Sequence, residues 1–430
     1  MWGWLTRKLD YQKAVFIINC LSALAFVRSL FSWPTFFKQA PYAEQPIAIV
    51  ALFEKGILRS DIVALLTELR RQNIYILGVN TLKLQKGSPE IELFDTYVEI
   101  FNFGRDFGMY KFAFTYVFKQ GWHKICPRLL MVNDSIFFSR RGLAQFITDM
   151  MASDKDALGA TENFDYEHHV GSFCISYSNF VLNHKKFKKF WYDYRRTDVR
   201  PVVIKRGEIT LSKILKKIVR HQQSFSALYD VVRFSKILSC ENNVSLFLDN
   251  VRTSSLVPFR RIDATSIIEF FCRRYDAKLN HHQTMAVKTN LLTSSSSKDQ
   301  LISNRDDYKN NLFVLRYKDI SPAIEKIEIL KEGHTENDVA EFVKNCLVDM
   351  FISGSQIHQN ATILVLMGLP IIKMDSVYRG AFNIEDVYHL VEKLPQPDQD
   401  ELFQHLLSRP YGANWIYSGW KRTAFLYGLI

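Results

Sequence analysis

The chain of 430 residues is short of glycine and proline, with 18 and 12. That excludes a collagen-like or low-complexity protein. Its cysteines, Cys20, Cys126, Cys174, Cys240, Cys272 and Cys346, are widely spaced, and none forms a Cys-x-x-Cys pair. This argues against a zinc site or a disulfide scaffold and for a reducing compartment. There is no Gly-x-Ser-x-Gly elbow and no Walker A loop, so neither a serine-nucleophile hydrolase nor a P-loop enzyme is indicated. No named nucleic-acid-binding motif occurs, and no nucleic-acid partner is expected. A cleavable signal peptide is not evident. The most apolar segment, Ala14–Phe31, contains Asn19, Ser22 and Arg28 and is stopped by Pro34. A spanning helix needs about 20 mostly apolar residues. The segment therefore reads as a membrane-surface helix or as a buried packing helix.

What is present is ordinary globular composition, 47% hydrophobic and 23% charged, in a length that suits two or three domains. Aromatics reach 14%, enough for a core and for clefts that stack flat ligands. The net charge of +11 favours anionic partners of some kind: nucleic acid, an anionic membrane surface or phosphorylated ligands. Residues 185–220 hold thirteen Lys/Arg against three Asp/Glu. They form either a solvated helix face or a positive wall beside an anionic ligand.

After a break between Pro41 and Pro46, Ile47–Phe53 is a continuous apolar run of strand length. Such a run suits a parallel strand buried on both faces. Asp61–Gln72 has apolar residues at helical spacing, and Ile74–Val79 is a second apolar run. Strand, helix and strand in so short a stretch make a βαβ unit and predict a mostly parallel sheet. Further strands are expected at Tyr97–Phe101, Arg128–Val132 and Ser172–Tyr177. Helices are expected at Met109–Phe118, Leu143–Met151, Phe187–Tyr194 and Ile209–Val219. The organisation expected is an apolar N-terminal segment (1–40), an α/β domain (41–225) and a mainly helical C-terminal region (226–430). The last contains a polar linker at 293–311 and helices at Glu336–Phe351, Ile384–Leu394 and Gln399–Leu407.

Four short motifs can carry chemistry. Asn102-Phe103-Gly104-Arg105-Asp106-Phe107-Gly108 lies at a strand-to-helix junction, where its glycines permit a tight turn and close approach to a ligand. Asp106 there either caps the helix or binds a sugar hydroxyl. Asn133-Asp134-Ser135 follows an expected strand, where open α/β sheets bind ligands. It is either an Asx turn or an oxygen site for a divalent cation. Glu208 precedes a helix as a capping acid or as a base for an incoming hydroxyl, with Lys205 and Arg206 beside it to pair with phosphate. His168-His169 precedes Gly171-Ser172; with no further ligand in reach, hydrogen bonding to a polar ligand is favoured over zinc.

In this order the landmarks resemble a GT-A-type glycosyltransferase, and more narrowly the rhamnan synthesis protein F family of bacterial polysaccharide assembly. The matching stretches are 47–53 (IAIVALF), 102–111 (NFGRDFGMYK), 132–138 (VNDSIFF), 169–173 (HVGSF) and 207–212 (GEITLS). To these is added 358–375 with Gly368, Pro370 and Lys373. The chain departs from the family pattern at Ile100, at Gly171 and in Asn-Asp-Ser in place of Asp-x-Asp. The resemblance implies a GT-A-like, Rossmann-like fold and transfer of a sugar, such as rhamnose, from a nucleotide diphosphate to a bacterial glycan. It implies donor contacts at Phe53, Asn80, Asn102, Asp106, Asn133, Asp134, Ser135, Lys205 and Arg206. Asp134 would hold a divalent cation, Mg or Mn, and Glu208 would be the base of an inverting reaction. Acceptor contacts would come from His169, Ser172 and Lys373. The partners implied are a nucleotide-sugar donor and a glycan or lipid-linked glycan acceptor, in the cytoplasm or peripherally at the inner face of its membrane. The competing reading is a non-catalytic glycan-binding or assembly protein with a transferase-like fold.

Overall fold

The apolar runs become the central strands of a sheet. The computed structural model describes residues 2–240, 243–244, 246–247, 250, 336–407 except 353, 379–381 and 383, and 417–429 except 427. The linker expected at 293–311 lies outside the described residues. The chain divides into two units. The first is Met1–Asp230 with Gly368–Gly380 and Leu394–Ile430; the second is Val231–Met367 with Ala381–Lys393. The division is thus not linear: two downstream stretches belong to the first unit.

In the first unit the strands are β1 (Thr35–Gln39), β2 (Ile47–Leu52), β3 (Tyr75–Asn80), β4 (Thr96–Glu99), β5 (Arg128–Asn133), β6 (Ile136–Phe138), β7 (Ala157–Asn163), β8 (His169–Val170), β9 (Cys174–Ser178), β10 (Phe225–Tyr229) and β11 (Ile371–Lys373). The main sheet runs β1-β4-β3-β2-β5-β9-β7-β10, with β8 beside β7. β2, β3, β4 and β5 are mutually parallel, and β10 is parallel to β7. β1, β8 and β9 run against their neighbours. The fold is therefore α/β, with a mostly parallel sheet flanked by helices, and a helical region follows towards the C-terminus. Every residue of β2, β3 and β5 is buried, which is why their sequences are apolar without alternation.

α2 (Ser60–Arg71) buries Ile62, Leu65, Leu66 and Leu69 at helical spacing. α3 (Arg105–Lys119) begins four residues before the expected start and packs on β2. Its aromatic face meets α6 (Lys185–Asp193): Phe114 stacks on Trp191 at 4.4 Å, and Phe187 meets Phe114 edge-on at 5.4 Å. Much of the aromatic content is therefore core. The same helix leaves Lys185, Lys186 and Lys189 exposed, so this part of the basic stretch is a solvated face.

α4 (Leu143–Ala152) and α5 (Asn179–Asn183) complete the flanks. α7 (Arg200–Val203) leads into a π-helical turn, Ile204–Ile209, and then α8 (Thr210–Ile218). The N-terminal helix α1 (Trp2–Leu30) is in part a packing helix. One stripe packs: Ala14 and Ile18 join Val199, Ala424 and Leu429, and the Ser22 hydroxyl accepts from Asp198 N at 3.0 Å. The remainder is open, with Phe16, Leu21, Leu24, Phe26 and Val27 exposed.

The second unit is described by its helices. Val231–Ile237 brings Phe234 against Phe351 of Glu336–Phe351, with ring centroids 4.3 Å apart. Ala361–Leu366 packs on Ile384–Val391.

Candidate active site

β2, β3 and β5 are parallel, so the residues that follow them gather on one rim of the sheet. Asn133 closes β5 and is buried. Its Nδ2 donates to Asp106 Oδ2 at 2.8 Å, while its Oδ1 accepts from the Ser135 hydroxyl at 2.6 Å. Ser135 Oγ in turn accepts from Lys373 Nζ at 2.5 Å. Three hydrogen bonds therefore run in one direction, from an ammonium through a hydroxyl and an amide to a carboxylate. Lys373 reaches this position because β11 pairs antiparallel with β6 and sets Lys373 opposite Ile136. Burial pushes its ammonium pKa down, against the Asp106 and Asp375 carboxylates. Its Nζ also lies 5.5 Å from the centre of the Phe173 ring.

A second group stands beside the first. Glu208, on the π-helical turn, receives His169 Nε2 at 2.9 Å on Oε1 and the hydroxyl of Ser172 on Oε2, with Ser172 N at 3.3 Å. The other ring nitrogen of His169 faces the Glu167 carbonyl at 2.7 Å. Both ring nitrogens thus face acceptors, the arrangement of an imidazolium. Burial opposes charge on both residues. Each nevertheless favours the charged form: burial lowers the His169 pKa but Glu208 raises it overall, and His169, Ser172 and Lys373 hold the Glu208 carboxyl below the usual range. Lys373 and Glu208 feel each other's charge, so the two groups form one electrostatic unit.

Gly207 is required by packing: a Cβ there would meet the Phe107 ring at 2.7 Å. The glycines of the 102–108 motif act in the same way. Gly104, at φ 95°, brings its Cα against Arg196, and a Cβ on Gly108 would sit 2.3 Å from the Phe103 carbonyl. The close approach expected for a ligand is an approach of the protein to itself.

Asp134 is buried, its Oδ2 accepts from Phe53 N, and Arg59 donates to its backbone carbonyl at 2.8 Å. Burial pushes its carboxyl up to about 6, against the Arg59 guanidinium and the Phe53 N–H, while Asp106 and Asp61 push it further. Such a group does not fit a divalent cation. It is a single carboxylate with one oxygen engaged by the backbone and a guanidinium alongside. No group of three His, Cys, Asp or Glu that could hold a metal occurs among the described residues.

Asn80 is fully buried, and its amide is occupied inside the protein: Nδ2 donates to Glu54 O at 2.9 Å and Tyr97 Oη at 3.0 Å, and Oδ1 accepts from Glu54 N and Leu82 N. It shapes the loop after β2. That loop presents the Phe53 ring, 55% exposed. Asn102 is exposed at the start of its turn, and Lys205 and Arg206 are exposed on the π-helical turn. Arg206 lines a separate cavity with Arg195 and Arg196.

Sequence reading passed over Arg105, Arg59, Arg200 and Asp375. Arg105 follows Gly104 at φ 51°, an uncommon conformation for a non-glycine residue. Its Nη1 is buried without a hydrogen-bond partner among the described residues, and the charges of Asp106, Asp198 and Asp375 reach it. Arg200 donates to Asp375 at 2.7 Å. The position of Arg105 inside the Gly-Arg-Asp triplet was the available signal.

No family model matches the chain, and no curated protein matches it. Among solved structures it is similar in part to the crystal structure of the glycosyltransferase GlyE of Streptococcus pneumoniae TIGR4. The identity is 13% and the TM-score 0.27, over 47% of this chain. The match spans about half of that chain's length (50%). Likeness at this level carries nothing about activity.

Proposed function

We propose that this chain transfers a glycosyl group from a nucleoside diphosphate sugar to a hydroxyl of a bacterial glycan. One observation supports it above the others: an ammonium held by Ser135, Lys373, meets the charges of both Glu208 and Asp106, next to Asn133 at the carboxyl end of β5. That is an arrangement for holding a diphosphate beside a proton acceptor.

In the proposed reaction the acceptor oxygen forms a bond to the anomeric carbon while the bond from that carbon to the diphosphate oxygen breaks. The bonding electrons leave with the nucleoside diphosphate, and the hydroxyl proton passes to Glu208. His169 and Ser172 position the Glu208 carboxylate. Lys373 and the free Nη1 of Arg105 meet the charge growing on the leaving group, the part expected of a cation held by Asp134. Asp106 lies within reach of the sugar hydroxyls, and Phe53 offers an exposed ring to the base. A deoxyhexose such as rhamnose as donor, and a lipid-linked glycan as acceptor, follow from the resemblance alone.

One observation favours the non-catalytic reading: both oxygens of Glu208 are already engaged. Incubation with a panel of nucleotide sugars and a glycan acceptor separates the two readings. Release of nucleoside diphosphate is expected, and Glu208→Gln should lower it by about 10²–10⁴-fold. No release from any donor, or full release by the variant, overturns the proposal.

A further inference from the structure

A cavity of about 720 Å³ lies beside the site, lined by α1, α3, residues 193–196 and Arg206. Its charged lining is Lys111, Arg195, Arg196 and Arg206 against one acid, Asp193. Lys111 gives its hydrogens to the carbonyls of Tyr192 and Tyr194, at 2.8 and 2.7 Å. Arg196 rests on the Phe103 ring at 5.2 Å, and Arg195 and Arg206 are exposed. Tyr194 also lines the cavity. It is 5% exposed, and its hydroxyl is buried with no hydrogen-bond partner among the described residues. Four cations against one acid make the cavity a place for an anion.

The wall contributed by α1 indicates which anion. Phe26 lines the cavity and meets Phe103 at 5.9 Å, and Arg196 Nη2 donates to Ser29 Oγ at 3.3 Å. The same helix holds the segment Lys8–Leu30, long and apolar enough to cross a membrane, with only 17% of it buried. A free soluble anion would have no use for this neighbour. An acyl chain beside α1 with its phosphate in the cavity satisfies both halves.

We propose that this cavity binds the phosphate of an anionic bilayer lipid, seating α1 in the membrane surface with the candidate active site next to the headgroups. The inference stands apart from the transferase reading, because it is tested by binding without turnover. The full-length protein is sedimented with vesicles of equimolar phosphatidylglycerol and phosphatidylcholine, and with vesicles of phosphatidylcholine alone. Binding to the anionic vesicles should be stronger. Arg195→Glu with Arg206→Glu should weaken it by about 30-fold or more, at unchanged circular dichroism. Lys185→Glu with Lys186→Glu makes the same charge change on α6 outside the cavity and should weaken it far less. If the charge reversal disturbs folding, Arg195→Gln with Arg206→Gln replaces it with the same expectation. Equal losses for the two charge-reversed pairs would reduce the effect to diffuse attraction and overturn the proposal. Equal binding to both vesicles, or full displacement by soluble glycerol phosphate, would overturn it as well.

Discussion

The two ends of β5 handle buried charge in opposite ways. At its start, Arg128 is 5% exposed and donates to the carbonyls of Met150 and Ser153, both at 2.9 Å, and to the Ser176 hydroxyl. Burial pushes its pKa down to about 10. Nearby, Asp156 takes Arg220 through both oxygens and the hydroxyl of Ser178. The charged groups Arg128 and Asp156 at this end have been answered by the protein. At the other end, the chain through Asn133 starts at Lys373, Arg105 keeps a buried N–H unused, and the Glu208 side chain remains 19% exposed between its partners. A buried charge does not mark a site by itself. What marks one is polar capacity that the fold has positioned and left open.

The contrast can be broken by substitution. Lys373→Met should lower nucleoside diphosphate release by about 10²–10³-fold, with only a small shift of the urea midpoint. A large loss of stability with little loss of release would make this end structural like the other. Arg128→Met should do the reverse, costing about 3 kcal/mol or more because two carbonyls lose their donors, while the donor affinity of the folded fraction is kept. Gly207→Ala should cost about 1–3 kcal/mol through the Phe107 ring and also lower turnover, because Glu208 moves with it. An alanine variant of wild-type stability would show that the π-helical turn can shift freely.

The smallest effect is on pH. His169 has a raised folded pKa, so its contribution is present below its ordinary value of about 6.5 and fades as pH rises through the folded value. Glu208 has a lowered folded pKa, so its contribution is present above its ordinary value of about 4.3 and fades as pH falls through the folded value. The stability gap between the wild type and His169→Gln should therefore be widest between about pH 4.5 and 6.5 and narrow on both sides. A gap that does not vary with pH would mean that the pair is not charged.

The central strands were legible because burial on both faces leaves an apolar run, and β2 and β3 lie within a residue or so of their expected bounds. β7 was not, since its sequence Ala-Leu-Gly-Ala-Thr-Glu-Asn has neither an apolar run nor alternation. β6, β8 and β11 have two or three residues each and exist only through their partners. Single site residues were legible where type and local turn coincide, as at Asp106, Asn133 and Glu208. Their relations were not. His169 and Glu208 are 39 positions apart, and Lys373 and Ser135 are 238 apart, distances that no local pattern spans. The metal expectation took Asp134 from its turn alone, while its engagement by Phe53 N depends on the neighbouring strand.

The pairing of β11 with β6 also has a consequence in time. During synthesis the ribosome releases β2 to β10 long before residue 373 emerges. Until then Asp106 and Glu208 lack the ammonium whose charge both of them meet. A nascent chain can build its sheet early, but it gains the electrical balance of this rim only once residue 373 has emerged.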